Sequence, residues 1–253
     1  MTTSFRSGVL AIVVTIALLL PSGLFAQEFS QDQREELGEI IRDYLLENPE
    51  VLREVIQSLE RKEQEEAAAA ATAAISERGA ELYRSDDDLV AGNPNGSVTM
   101  AEFFDYNCGF CKRAMGDVLA LIETDDDLRV VFKEWPILSD GSRFAARAAL
   151  ASRRQGKYWE FHLALMETRS VDEATTMEVA ERIGLDVEQL RADMEDPEVE
   201  AVIDRNMRLA EALGIQGTPA FFIDDQVIAG AVGHEALSQV IAQVREEGGC
   251  KIC

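Results

Sequence analysis

Two cysteines separated by two residues, Cys108-Gly109-Phe110-Cys111, stand between a run of strand formers and a stretch with helical periodicity. In that setting C-x-x-C spacing is a redox signal, because a disulfide closes within one helical turn and the helix N-terminus stabilises a thiolate on the first sulfur. Cys108 is the expected nucleophile, and Cys111, one turn deeper, is expected to resolve the mixed disulfide. An inert bridge is a poorer reading, since so short a loop removes little chain entropy. Zinc fits worse still. The gap from Cys111 to Cys250 far exceeds the roughly 12 to 20 residues between cysteine pairs of small zinc modules, and His162 and His234 lack ligand spacing. Dithiol chemistry of this kind calls for no organic cofactor and no resident metal.

A second C-x-x-C, Cys250-Lys251-Ile252-Cys253, follows Gly248-Gly249 on what reads as a flexible tail, residues 248–253. Three uses compete for it: a self-closed disulfide, a redox relay to Cys108-Cys111, and capture of a soft metal such as Cu(I). The pair also matches C-a-a-X prenylation in form, but export and a lysine in an aliphatic slot argue against that use.

The elements that must hold Cys108 can be read on both sides of it. Val98–Phe104 reads as a strand, Cys108 to about Glu123 as a helix and Leu128–Glu134 as a second strand, which together make a βαβ unit with buried strands. A helical block follows over about 143–214. Ala220–Ile223 and Gln226–Ala229 then read as a hairpin about Asp224-Asp225, and Glu235–Glu247 as a closing helix. Glu102 sits in the first strand among apolar neighbours, where burial raises a carboxyl pKa. Six residues before Cys108, it is a candidate acceptor for the Cys111 proton. Lys133 on the next strand is its candidate partner, or else Lys133 and Glu134 are strand-end charges. Thr218-Pro219 opens a strand, a place where an X-Pro bond can be cis and where neighbouring backbone groups are free to pair with an incoming chain. His162, on an aromatic helix face, and His234, at a helix start, read as packing and capping residues.

Upstream, the uncharged run Gly8–Leu20 after Arg6, followed by Pro21-Ser22-Gly23, reads as a secretory signal peptide over 1–26. Residues 27–66 carry two amphipathic stripes, Leu37, Ile40, Ile41, Tyr44, Leu45 and then Val51, Leu52, Val55, Ile56, Leu59, separated by the N-cap and first-turn pair Asn48-Pro49. Such short helices need a surface on which to bury those stripes: self-association supplies one, and folding back onto the chain's own compact domain is the competing reading. The Ala/Glu-rich stretch within 67–88 reads as a helical linker, and the compact domain as 89–247. Forty-seven acidic against 24 basic residues give a net charge of −23, which argues against nucleic acid as a partner. The 47% hydrophobic content is that of a folded chain.

Glu102-Phe103-Phe104-Asp105-Tyr106-Asn107-Cys108-Gly109-Phe110-Cys111, Lys133-Glu134-Trp135-Pro136-Ile137-Leu138 and Gly217-Thr218-Pro219-Ala220-Phe221 resemble the DsbA-like thiol-disulfide oxidoreductases. The helical arm with its Asn48-Pro49 break looks like that of the ScsC-type branch. The resemblance implies an α/β thioredoxin fold with an inserted helical domain, preceded by an N-terminal helical arm that can trimerise the protein. It also implies a cis-proline loop, Gly217-Thr218-Pro219, that faces the active-site disulfide and with Phe110 holds substrate, and a buried acid at Glu102. Further implications are a periplasmic location, protein substrates with cysteines, a redox partner protein that a membrane can hold, and copper in some members. Strongly oxidising relatives carry histidine between the cysteines. Gly109-Phe110 therefore implies a weaker oxidant than the roughly −120 mV extreme and favours disulfide isomerase or reductase work. The competing readings are a dithiol oxidase of DsbA type and a copper-binding or copper-tolerance protein that uses all four cysteines.

Overall fold

A computed structural model describes residues 30–253, so the expected signal peptide, 1–26, lies outside the described residues. The chain divides into two units, one ending at Glu60 and one spanning Arg61–Cys253. In the first, helix α1 (Gln31–Glu47) starts at a capping box: Ser30 Oγ accepts from Gln33 N at 3.2 Å and Gln33 Oε1 accepts from Ser30 N at 2.9 Å. It stops at Asn48, whose side-chain amide donates to Tyr44 O. Pro49 then opens α2 (Pro49–Tyr83) at the position where a missing N–H costs nothing. The two stripes stay on the surface: Ile40, Tyr44, Val55, Ile56 and Leu59 are each 55–58% exposed.

In the second unit the end of α2 belongs to the core. Ile75, Leu82 and Tyr83 are fully buried, and the Tyr83 hydroxyl donates to Asp224 O at 2.7 Å. The stretch expected as a linker over 67–88 is thus a packing element in its last turns, while most of its alanine-rich part remains exposed. A five-stranded sheet follows with strand order β1-β3-β2-β4-β5. Edge strand β1 (Leu89–Gly92), which the pattern does not announce, runs antiparallel to β3 (Leu128–Glu134). β2 (Val98–Phe104) lies parallel to β3, and α3 (Gly109–Thr124) makes the crossover. Helices α4 (Asp140–Ala151), α5 (Tyr158–Glu167), α6 (Glu173–Arg182), α7 (Val187–Met194) and α8 (Pro197–Ala212) form the inserted block. Ser139, Asp172, Asp186 and Asp196 cap four of these with side-chain oxygens. β4 (Ala220–Ile223) pairs antiparallel with β2, β5 (Gln226–Ala229) pairs with β4, and α9 (His234–Glu246) closes the unit. This is the expected thioredoxin fold with a helical insertion.

Every residue of β2 and β3 is buried, so alternate side chains feed two separate cores. Val98, Met100 and Phe104 of β2 and Val130 and Phe132 of β3 pack with α3, α9 and the insertion. Ala101, Phe103 and Val131 pack instead with α2, α8 and Trp135. This parity decides which charged side chains can meet.

Candidate active site

β2 ends in a short loop, Asp105-Tyr106-Asn107, that delivers the chain to Cys108. The Asp105 carboxylate holds the loop by accepting from Asn107 N (2.7 Å) on one oxygen and from Ile137 N and Leu138 N (2.8 and 2.9 Å) on the other. Asn107 ties it to the insertion, donating to Val171 O and accepting from Val171 N, with further bonds to the Ser139 and Ser142 hydroxyls. Cys108 is the N-cap of α3, and its sulfur accepts from Cys111 N at 3.4 Å. The Cys108 thiol also donates to Thr218 O at 3.2 Å. The Thr218–Pro219 bond is cis, and Pro219 O accepts from Gly230 N. Cys108 and Cys111 are both free thiols, 6% and 0% exposed, while Phe110 beside them is 57% exposed under the Arg113 guanidinium. An apolar cavity of about 610 Å³ lies next to this loop, lined by Ala67, Ala71, Leu213, Ile215, Gln216 and Ala220.

Glu102 lies on the Met100/Phe104 face of β2, fully buried, and neither carboxyl oxygen has a hydrogen-bond partner. Burial first, then the negative charge of a Cys108 thiolate, pushes its pKa up to about 8. Burial, reinforced by the Glu102 charge, pushes the Cys111 thiol well above the usual thiol range. The expected Glu102–Lys133 pair does not form. Lys133 is in register with Phe103, so it shares that residue's face and points away from Glu102. Its ammonium instead donates to Asp88 Oδ2 at 2.5 Å and to Glu81 O at 2.6 Å. Glu134, read as a strand-end charge, is buried and accepts from the hydroxyls of Tyr106 and Tyr158. His162 packs among Phe104, Tyr106, Phe132 and Trp159, and burial lowers its pKa to about 3, which keeps the ring neutral. His234 is the first residue of α9. Neither histidine bonds to a catalytic sulfur.

With this geometry in view, comparison with known proteins decides the family: the DSBA-like thioredoxin domain matches residues 99–242. The chain belongs to that family. The N-terminal domain described as that of copper resistance protein ScsC matches residues 33–66. A thioredoxin-like oxidoreductase from Silicibacter pomeroyi is similar at 47% identity and TM-score 0.65, over 66% of this chain and 97% of that one. ScsC from Proteus mirabilis in a transitional conformation is similar at 26% identity and TM-score 0.64, over 87% and 100%. Among curated proteins, a Na(+)/H(+) antiporter NhaA from Salinispora tropica is 31% identical over 65% of this chain, which spans only 26% of the antiporter's length. No helix among the described residues is long and apolar enough to cross a membrane.

In this DSBA-like chain the second cysteine pair is neither on a loose tail nor at the first pair. Cys250 and Cys253 form a disulfide that is docked on the sheet: Cys250 N donates to Ser97 O, and Cys253 Sγ lies 3.8 Å from Thr99 O. Cys108, by contrast, adjoins Thr218, two residues before the Ala220 that pairs with Phe103. From Thr99 to Phe103 is four residues of strand, roughly 13 Å, so the two pairs sit towards opposite ends of β2. The structure does not bring the four sulfurs together, either as a direct relay within one chain or as one soft-metal site. Sequence reasoning missed Asp105, Asn107 and Asp224. A turn-forming Asp-x-Asn before a catalytic cysteine is a usable signal, but the partners of Asp105 and Asn107 lie 32 to 64 residues away.

Proposed function

We propose that this protein is a periplasmic thiol-disulfide oxidoreductase that acts on protein substrates, and that it works as an oligomeric disulfide isomerase. The observation that carries the chemistry is a free Cys108 at the N-cap of α3, its sulfur held between the Cys111 amide and the carbonyl of the cis-proline loop. The Cys108 thiolate attacks a substrate disulfide: a new S–S bond forms, the substrate's own bond breaks, and one substrate thiolate leaves. Two exits follow. A second substrate thiolate attacks the mixed disulfide and releases Cys108 with no net redox change, which is isomerisation. Alternatively Cys111 loses its proton, attacks Cys108 Sγ and leaves a Cys108–Cys111 disulfide with the substrate reduced. The high pKa that burial imposes on Cys111 slows the second exit, and this supports the isomerase reading. Glu102, when ionised, is the acceptor for the Cys111 proton.

Pro219, Thr218 and Gly217 with Phe110 are the proposed substrate contacts, the loop offering backbone groups and Phe110 an exposed ring. The apolar cavity next to the loop suits a substrate's hydrophobic side chain. The exposed stripes of α1 and the first part of α2 support self-association, with a trimer as the assembly the ScsC-type resemblance implies. The leader-like segment supports export, and a redox partner protein is needed to keep Cys108 reduced. Copper binding, the alternative raised by the family description of residues 33–66, has only one cysteine pair at a time to use.

The test is a trapping and refolding pair. Cys111→Ser should accumulate a mixed disulfide with a scrambled-disulfide substrate, and Cys108→Ala should form none. The intact protein should restore activity to the scrambled substrate without added oxidant. A protein that oxidises reduced substrate efficiently but leaves scrambled substrate inactive is a dithiol oxidase, and the isomerase reading is then wrong.

A further inference from the structure

The proposed reaction leaves the docked second pair unused. Its anchor is Asp224, in the turn between β4 and β5, buried and in the left-handed region at φ 52°. Asp224 Oδ1 accepts from Lys251 N at 2.8 Å and Ile252 N at 3.1 Å, and stands 3.4 Å from Cys250 Sγ. Cys253 N donates to Cys250 Sγ at 3.1 Å. One carboxylate oxygen and two sulfurs therefore lie within 4.8 Å of one another. We propose that Asp224, Cys250 and Cys253, once the disulfide is reduced, form a binding site for a thiophilic divalent cation of the Zn2+ class.

Ligand atoms on a tetrahedral zinc ion stand roughly 3.5 Å apart, so side-chain rotation after the S–S bond opens is enough to seat the ion. Two thiolates and a carboxylate are a donor set suited to zinc. The charges nearby do not compete for it. The Lys251 ammonium pairs outward with Glu247, and the Arg84 guanidinium donates to Cys253 O. Cys250 and Cys253 are only partly buried, which leaves a path for the ion and a fourth position for water. Reduction by a dithiol transfers two electrons and two protons: the tail S–S bond breaks, the reductant's own disulfide forms, and Cys250 and Cys253 become thiols. The cation then displaces both thiol protons. Thiol-disulfide exchange with a second disulfide, whose own S–S bond breaks and which leaves as the dithiol, rebuilds the tail disulfide and expels the ion, which makes this a site that fills only under reducing conditions.

The experiment uses the full chain with Cys108→Ser and Cys111→Ser, so that only the second pair can supply sulfur. Zn2+ is titrated against a chromophoric chelator, with the protein reduced and then with its tail disulfide formed. The expected result is one Zn2+ per reduced chain and none per oxidised chain, with affinity falling more than tenfold in Asp224→Asn and further in Cys250→Ser. Asparagine at 224 keeps an oxygen for the two tail amides, and an unchanged thermal midpoint of that variant without metal confirms that the tail still docks. Zinc held equally by the oxidised protein, or at full affinity by either variant, overturns the proposal. Stoichiometric binding absent from the reduced parent overturns it too.

Discussion

Replacing Glu102 with glutamine should change how stability depends on pH, by an amount that follows from burial. An ordinary glutamate titrates near 4.5 and this one near 8, so between those values the folded chain holds a proton that the unfolded chain has released. Raising the pH through that window therefore favours unfolding. The stability contributed by the neutral carboxyl is complete below about 4.5 and lost by about 8. Proton linkage converts the difference into roughly 3 kcal/mol lost between about pH 5 and about pH 8. Glutamine has the same shape and no charge to develop, so any cost of its own buried amide is the same at every pH.

The assay is urea unfolding across that range, with Cys108 and Cys111 both replaced by serine so that no active-site thiol titrates. Burial, the larger cause of the shift, survives that replacement. The stability of Glu102→Gln relative to its parent should climb by roughly 3 kcal/mol from the acid to the alkaline end. In the intact active site, the rate at which Cys111 resolves a mixed disulfide should rise through an ionisation near 8, and that inflection should vanish in Glu102→Gln. A stability difference that is flat with pH would mean that Glu102 ionises without penalty, and both the raised pKa and its role as proton acceptor would fall with it.

Three further outcomes follow from named contacts. Asp88→Asn or Lys133→Met should destabilise the domain by about 3–5 kcal/mol in denaturant unfolding, because each leaves one partner of a buried ion pair uncompensated. Asn107→Ala should cost about 1–3 kcal/mol, since it strips the partner from the Val171 N–H, and should raise the sensitivity of the 105–108 loop to hydrogen exchange. Ile40→Asp combined with Ile56→Asp should lower the mass seen by light scattering and reduce isomerase turnover while the reaction of Cys108 with a small thiol probe is unchanged.

How much of this was legible depends on the range of the interactions. β2, β3, β4 and β5 fall where alternating and continuous apolar runs place them, because each carries enough β-branched and aromatic residues to mark itself. β1 does not, since four residues ending in glycine carry no period and owe their conformation to pairing with β3. Ile75 and Leu82 lie seven apart with only small or charged residues between them, and their burial comes from the sheet face they meet. The docked tail was illegible for the same reason: its anchor is a side chain 26 to 28 residues earlier that binds main-chain amides, which every sequence possesses.

The parity of β2 and β3 shows how small a change separates the proposed site from an inert one. Glu102 pairs in register with Phe132, and Lys133 with Phe103. A slip of one residue in β3 would turn Lys133 onto the Glu102 face. The ammonium would then hold the carboxylate ionised and pull its pKa down, as an opposite charge at contact distance does. A carboxylate held that way is a weak base, poorly matched to a buried thiol, and Cys111 would lose its proton acceptor. The observed register sends the lysine to Asp88 on the other face and leaves both Glu102 oxygens unpartnered beside the cysteine pair. An unpaired buried acid is costly, and its persistence next to two free thiols is the feature of this core that packing alone does not explain.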